Sequence, residues 1–408
     1  MGGALLQLVA LGSQDNYLVG NPKISFFKSV YKHHTNFAIE SKAQIFKENV
    51  TFGKKISCTI ERSGDLISKM MLEIKLPAIG TSSNISWINS IGHHIIEYIE
   101  IEIGGLVIDK HYGSWMEIYS EFCIPESLQL GYYKMIGKTD VFTNVSQKNS
   151  MKLYIPLQFW FCKNIGNALP LIALQYHDVK INLKLRDFSE CWYSGSSDGV
   201  MGSNVPNELQ ISSCQLFTDY VFLDMDERRK FAQSSHEYLI EQLQVNILNN
   251  VSEKKKLENV CLTFNHPIKE LYWTLQLNSI NKINDWNNFS NTVKDDSYST
   301  DQEESLKSVV LSINGQERFQ ERDAEYFRLV QPFYHHSRVP KSFIYSYSFS
   351  INPESTQPSG SLNFSRIDNA HLTLKCVDNI KASNVNVYAI NYNILKIMSG
   401  MGGLLFSN

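Results

Sequence analysis

Apolar and polar residues alternate with a period of two along many short stretches of this chain. Ile56, Cys58 and Ile60 alternate with Ser57, Thr59 and Glu61, and a Ser63-Gly64-Asp65 turn follows. Met70, Leu72, Ile74 and Leu76 alternate with Glu73 and Lys75 until Pro77 stops the run. Ile99, Ile101 and Ile103 alternate with Glu100 and Glu102 up to Gly104-Gly105, and Tyr347, Phe349 and Ile351 alternate with Ser348 and Ser350. Each pattern predicts a strand with one face on a core and the other on polar surroundings. Helices are fewer. Ser114-Trp115-Met116-Glu117 has capping-box spacing and predicts a short aromatic helix. A second helix is predicted to start at Asp323 and to end at Pro332, and a third to cover Asp226 to Ala232. Short strands with turns between them predict a sandwich or barrel.

The pattern occurs twice. Ile101-Glu102-Ile103-Gly104-Gly105 followed by the Trp115-Met116 helix parallels Leu311-Ser312-Ile313-Asn314-Gly315 followed by the Tyr326-Phe327 helix. His177–Leu185 parallels Asp368–Lys375, and Asp219–Leu223 parallels Asn391–Leu395. The offsets shrink from about 210 to 191 to 172, so the first copy carries the longer insertions. Two sandwiches of one design are expected, divided near Leu223–Ser235. Glu121–Asn149, Asp187–Glu208 and Asn278–Lys307 are expected to be surface loops, the last because its Asn, Asp and Ser density favours turns and solvent. It is expected on an outward face, open to proteases.

A length of 408 residues suits two domains. Apolar residues make up 43% and aromatics 12%, which is enough for two cores, and 22 Phe and 20 Tyr favour strands over helices. The net charge is −3, and the one basic run, Lys254-Lys255-Lys256, sits between Glu253 and Glu258. That argues against direct nucleic-acid binding, which needs a basic stripe to neutralise phosphates. The seven cysteines are scattered without a CxxC, as expected of free thiols in a reducing compartment. No signal peptide opens the chain, and no run of about 18 apolar residues could span a bilayer, so a soluble protein made in cytoplasm is expected.

Sandwich folds include metal enzymes, so ligand spacing matters. No His-x-His or His-x-Asp/Glu pair occurs. The doublets His33-His34, His93-His94 and His335-His336 would send successive side chains to opposite faces of a strand, and they are expected at the surface or capped. Gly131–Thr139 has five residues between its glycines where a phosphate loop has four. Asp224-Met225-Asp226, followed by Arg228, Arg229 and Lys230, is better explained as a charged helix start. His236-Glu237 lacks a second His four residues on. No catalytic residue, metal ligand or cofactor site is therefore assigned. Of the Asn-x-Ser/Thr sequons, Asn144 and Asn288 lie in predicted surface loops and are kept as candidate glycosylation acceptors.

The chain also resembles the major capsid proteins of nucleocytoplasmic large DNA viruses. The similarity starts at Leu8-Val9-Ala10 and takes in Gln14-Asp15, Gly20-Asn21-Pro22 and Phe26-Phe27-Lys28. It continues through Arg62-Ser63-Gly64-Asp65, Leu169-Pro170-Leu171 and His236-Glu237-Tyr238-Leu239. Asn265-His266-Pro267, Gln357-Pro358-Ser359-Gly360, Asn363-Phe364-Ser365-Arg366 and Met398-Ser399-Gly400-Met401-Gly402-Gly403 complete it in the family's order. Only the loops depart, Asn278–Lys307 above all. The resemblance implies an all-β fold of two tandem eight-stranded jelly rolls with a few short helices. It divides the chain into an arm over 1–26, jelly rolls over 27–223 and 238–397, a linker with a short helix over 224–237, and a tail over 398–408. It implies a non-enzymatic homotrimer forming a pseudo-hexameric capsomer in an icosahedral virion shell. Neighbouring capsomers, minor capsid or cement proteins and peripheral contact with an inner viral membrane are the implied partners. The apolar ends, Ala4–Leu11 and Met398–Phe406, are expected to serve assembly. A sugar-binding sandwich using Trp286 and Tyr298, or a jelly-roll enzyme, are the competing readings.

Overall fold

The structure is a computed structural model describing residues 2–79, 85–139, 149–194, 208–251, 257–278, 285–292, 303–378 and 380–407. Met1–Asn36 forms a compact unit of its own, and Phe37–Asn408 forms a second that holds both sandwiches. In the first unit, helices α1 (Gly3–Val9) and α2 (Asn16–Val19) bury no residue. The first strand begins at Phe37.

The first lobe contains β1 (Phe37–Gln44), β2 (Lys55–Thr59), β3 (Leu66–Leu76), β4 (Ile96–Ile103), β5 (Leu106–Tyr112), β6 (Met151–Pro156), β7 (Val179–Leu185) and β8 (Ser213–Leu223). Its sheets run β1-β8-β3-β6 and β2-β7-β4-β5, antiparallel throughout. The second lobe contains β9 (His236–Val251), β10 (Leu257–Cys261), β11 (Pro267–Leu277), β12 (Leu306–Ile313), β13 (Gln316–Glu317), β14 (Ile344–Ser348), β15 (Ala370–Cys376) and β16 (Ser383–Met398). Its sheets run β9-β16-β11-β14 and β10-β15-β12-β13. Adding eight to every label of the first lobe reproduces the second. The three sequence parallels fall on equivalent strands: β4 with β12, β7 with β15, and β8 with β16. Even the turns correspond. Gly104 and Gly105 have φ of 60° and 88°, and Asn314 and Gly315 have 47° and 78°, the left-handed pair that a tight two-residue hairpin requires.

The alternating residues do line the cores: Ile56, Cys58, Ile60, Met70, Leu72, Ile74, Ile99, Ile101 and Ile103 are all buried. The Tyr347/Phe349/Ile351 pattern holds only in part: Tyr347 and Phe349 pack against the second core, but Ile351 does not. Strand β14 ends at Ser348, Ile351 is exposed and Ser350 is buried, while Ile344 and Tyr345 fill the core. Pro332 does not end its helix either. A π-turn over Tyr326–Val330 leads into α8 (Gln331–His335), where Pro332 occupies the opening turn and needs no N–H partner. Before it in the chain come α3 (Ile91–His94), α4 (Gly113–Cys123), α5 (Glu126–Ile136), α6 (Trp160–Lys163) and α7 (Met225–Gln233). Helix α7 is the expected linker helix, with Asp224 accepting from the Glu227 N–H at 2.9 Å.

The expected surface loops are largely structured where they are described. Glu121–Asn149 includes the end of α4 and all of α5, with Tyr132, Tyr133, Ile136 and Lys138 buried. In Asp187–Glu208, Phe188, Cys191, Trp192 and Tyr193 enter the first core, and Trp192–Ser194 pairs with Ile85–Trp87. In Asn278–Lys307, Asp285 and Phe289 are buried, and Trp286 packs against the first core. The tail is not free: β17 (Met401–Leu404) pairs with β16, and Leu404 packs on the first core. All seven cysteines are free.

Candidate functional site

The seam between the two lobes gathers buried aromatic and charged side chains from both. Its wedge is α4. The sequence Trp115-Met116-Glu117-Ile118 through Phe122 puts Trp115, Ile118 and Phe122 on one face at helical spacing. They meet Tyr272 of β11, Ile344 of β14 and Tyr388 and Ile390 of β16 in one buried cluster. Trp115 meets Tyr272 edge-on at 5.2 Å, and Phe122 does the same at 5.0 Å. Ser114 does not cap the helix; its Oγ accepts from Tyr388 Oη at 3.0 Å. Nor does Glu117 reach back as a capping box would.

Glu117 instead faces inward, one turn before Glu121. Lys138 Nζ lies 2.5 Å from Glu117 Oε1 and 2.7 Å from Glu121 Oε1, with all three side chains at most 3% exposed. This explains the lysine of the phosphate-loop look-alike, which is spent on a buried ion triad. Burial pushes the Glu117 carboxyl up, but the Lys138 ammonium and the His93 imidazole outweigh it and hold the acid far below its usual range. His93 Nδ1 lies 2.7 Å from Glu117 Oε2, and its Nε2 lies 2.8 Å from Tyr132 Oη. Arg338 of the second lobe pairs with Glu121 and carries the network across the seam.

A second bridge lies beside it. Lys163 of α6 reaches Glu241 of β9 at 2.8 Å, and Lys269 of β11 also pairs with Glu241. Backbone closes the gap as well, since the Leu243 N–H donates to Asp109 Oδ1 at 3.1 Å. Burial raises the Glu241 carboxyl, yet the two ammonium groups overcome it and bring the acid down to about 2. A folded-state value below the ordinary 4.5 means stability that is present above that value and lost as pH falls toward about 2. Urea midpoints should therefore decline between pH 4.5 and 2, and Glu241→Gln should flatten part of that decline; an unchanged slope would remove Glu241 from the account.

His94, expected at the surface or capped, is buried and capped: its ring stacks on Trp286 at 5.1 Å and it contacts the Glu190 carbonyl at 3.1 Å. His336 is buried between Glu270 (Nε2 to Oε1, 2.6 Å) and Glu354 (Nδ1 to Oε1, 3.1 Å). Trp286, expected to be an exposed aromatic, has the Arg186 guanidinium 5.3 Å from its ring. Asn287 Nδ2 reaches the Asn89 carbonyl at 3.1 Å, so this second-lobe loop bridges to the first lobe. A cavity of about 200 Å³ lies there, lined by His94, Arg186, Trp286, Phe289 and Tyr388 among others.

Asn288, read as lying in a surface loop, is buried. Its Nδ2 donates to Asp285 Oδ2 at 2.9 Å and to the Thr292 carbonyl at 2.8 Å, and the residue is 5% exposed. The nitrogen a glycan would take is occupied inside the loop. Asn144, Tyr298 and Lys254–Lys256 lie outside the described residues. Sequence reasoning missed Glu117, Glu121, Lys138, Arg338 and Glu241. The available signal was two acids four apart on the apolar side of an aromatic helix. No helix among the described residues is long and apolar enough to cross a membrane.

Residues 25–224 match the family profile "Major capsid protein N-terminus", and residues 227–403 match "Large eukaryotic DNA virus major capsid protein". A major capsid protein of Pyramimonas orientalis virus is 43% identical with both chains fully covered, and that of Paramecium bursaria Chlorella virus 1 is 37% identical, again over both whole chains. A chain of the PBCV-1 virus capsid superposes with a TM-score of 0.81 at 34% identity, covering 94% of this chain and 100% of that one. The Faustovirus major capsid protein superposes at 0.77 with 14% identity, covering 97% and 96%, a likeness of fold alone.

Proposed function

This chain belongs to the family of major capsid proteins of large eukaryotic DNA viruses, and we infer that it builds the virion shell as a homotrimer. The carrying observation is the repeat of one sheet order in two lobes locked by the α4 wedge. Three such chains present six near-equivalent lobes, so a threefold assembly tiles a nearly sixfold lattice of pseudo-hexameric capsomers in an icosahedral shell. Interfaces of this obligate kind bury roughly 2,000–5,000 Å². The partners are two further copies, neighbouring capsomers, minor capsid or cement proteins and, peripherally, an inner viral membrane. The protein is made in host cytoplasm and does not itself bind the genome, as its net charge of −3 favours.

The relatives are named as structural capsid proteins, not enzymes. Sugar binding is disfavoured by Trp286, whose ring is covered by His94 and Arg186 instead of being free to stack on a pyranose. Light scattering of the purified chain at micromolar concentration should return three times 46.7 kDa. A persistent monodisperse monomer would overturn the trimer.

A further inference from the structure

We propose that Cys123, His336 and Glu354 form a zinc site that staples the two lobes together. Cys123 ends α4 in the first lobe, while His336 follows α8 and Glu354 follows β14 in the second. One donor atom from each lies within 4.8 Å of the other two. Zinc sits about 2.0–2.3 Å from nitrogen, oxygen and sulfur donors, which leaves tetrahedral donors roughly 3.3–3.8 Å apart, so about 1 Å of side-chain closure completes the site.

The geometry around His336 is that of a metal-ligating imidazole. Its Nε2 is held at 2.6 Å by Glu270 Oε1, and Glu270 Oε2 in turn accepts from Tyr272 Oη at 2.7 Å. A carboxylate on the far ring nitrogen fixes tautomer and orientation, the usual arrangement behind a zinc-bound histidine. Phe122 packs against the ring at 4.8 Å, and the imidazole is 1% exposed. Nδ1 is thereby aimed at Glu354, which is held by the Ser337 N–H at 2.9 Å. Without metal, a proton sits between Nδ1 and Glu354. The dication takes its place: the imidazole gives up the Nδ1 proton and the thiol its own, and both leave to solvent. The resulting thiolate, neutral imidazole and carboxylate carry a charge of −2 that the ion balances. The Glu354 side chain, 22% exposed, leaves an entry path and room for a water as fourth ligand.

Full-length protein stripped with chelator and kept reduced should be titrated with zinc chloride. One ion per chain should bind with a Kd of about 1 μM or tighter, and raise the melting temperature. Cobalt(II) in its place should show a thiolate charge-transfer band in the near ultraviolet. Cys123→Ser, nearly isosteric, should lose that band and weaken zinc binding at least about tenfold, and Glu270→Gln should weaken it by roughly 10–100-fold. Cys261→Ser, at the exposed cysteine of β10, should change nothing. Absence of saturable zinc binding overturns the proposal. So does a cobalt complex of the native protein without the band, or a band that survives Cys123→Ser. The trimer mass is independent of all of these.

Discussion

Replacing Lys138 with Met should destabilise the protein by about 3–5 kcal/mol at neutral pH, the usual cost of removing one partner from a buried ion network. Methionine preserves most of the side-chain volume, so the loss is electrostatic and not a cavity. The ammonium is the shared partner of Glu117 and Glu121, and neither acid reaches water. Glu117 keeps His93 and Glu121 keeps Arg338 and Tyr133, which places the cost toward the lower end. The pH dependence identifies the mechanism. In the native protein Glu117 has a depressed folded-state pKa, so its contribution is present above its ordinary 4.5 and fades as pH falls below it. In Lys138→Met the ammonium's share of that contribution is already gone, and only the part supplied by His93 remains. The gap between the two proteins should be widest at pH 7 and shrink below about pH 4.5. Guanidinium midpoints at fixed protein concentration at pH 7 and pH 4 measure it, and adding Glu117→Gln should recover part of the loss. A deficit under about 1 kcal/mol at pH 7, or one independent of pH, would show that the triad does not hold the seam.

The strands were legible because their signal is local. A period of two, with burial on one face, can be read from five residues, and Ile99–Ile103 illustrates it. The repeat was legible because the hairpins at Gly104-Gly105 and Asn314-Gly315 demand the same rare backbone, which restricts the residues able to make them. The buried loops were not legible. Asn, Asp and Ser density was read as a preference for water, but Asp285, Asn288 and Ser290 satisfy one another: Asn288 donates to Asp285, and Ser290 donates to Asn288 at 2.6 Å. Polar residues whose hydrogen bonds close internally can be buried at little cost. The seam escaped for another reason. Glu121 meets Arg338, and Cys123 meets His336, across separations that no local window spans. A search for His-x-His finds ligands on one strand and is blind to ligands that only the folding of two lobes brings together.

Deleting residues 1–24 should abolish shell assembly while leaving both sandwiches folded. The arm is a compact unit separate from Phe37–Asn408. Large side chains of the deleted segment lie in water in the single chain: Leu8, Val9, Tyr17 and Leu18 are each at least 72% exposed. Burial of each such side chain is worth roughly 1.5–3 kcal/mol, so an arm of this composition is stable in water only if assembly covers it. The opposite end behaves differently. Met401–Leu404 pairs with β16, the Gly400 carbonyl accepts from the Tyr176 N–H at 2.9 Å, and a Cβ on Gly402 would sit 2.7 Å from Leu174 Cδ2. Here the expectation that both ends serve assembly alone separates into two outcomes. Removing residues 398–408 strips a strand and the Leu404 contact from the first core, so that variant should melt at lower temperature before assembly is even at issue. Removing residues 1–24 should leave the β-rich circular dichroism and the melting midpoint of an unassembled chain unchanged. Electron microscopy and light scattering should then find no capsomers or shells from the arm-deleted protein under conditions where the full chain forms them. Assembly equal to the full chain, or a failure of the arm-deleted protein to fold, would show that the arm does not act between subunits.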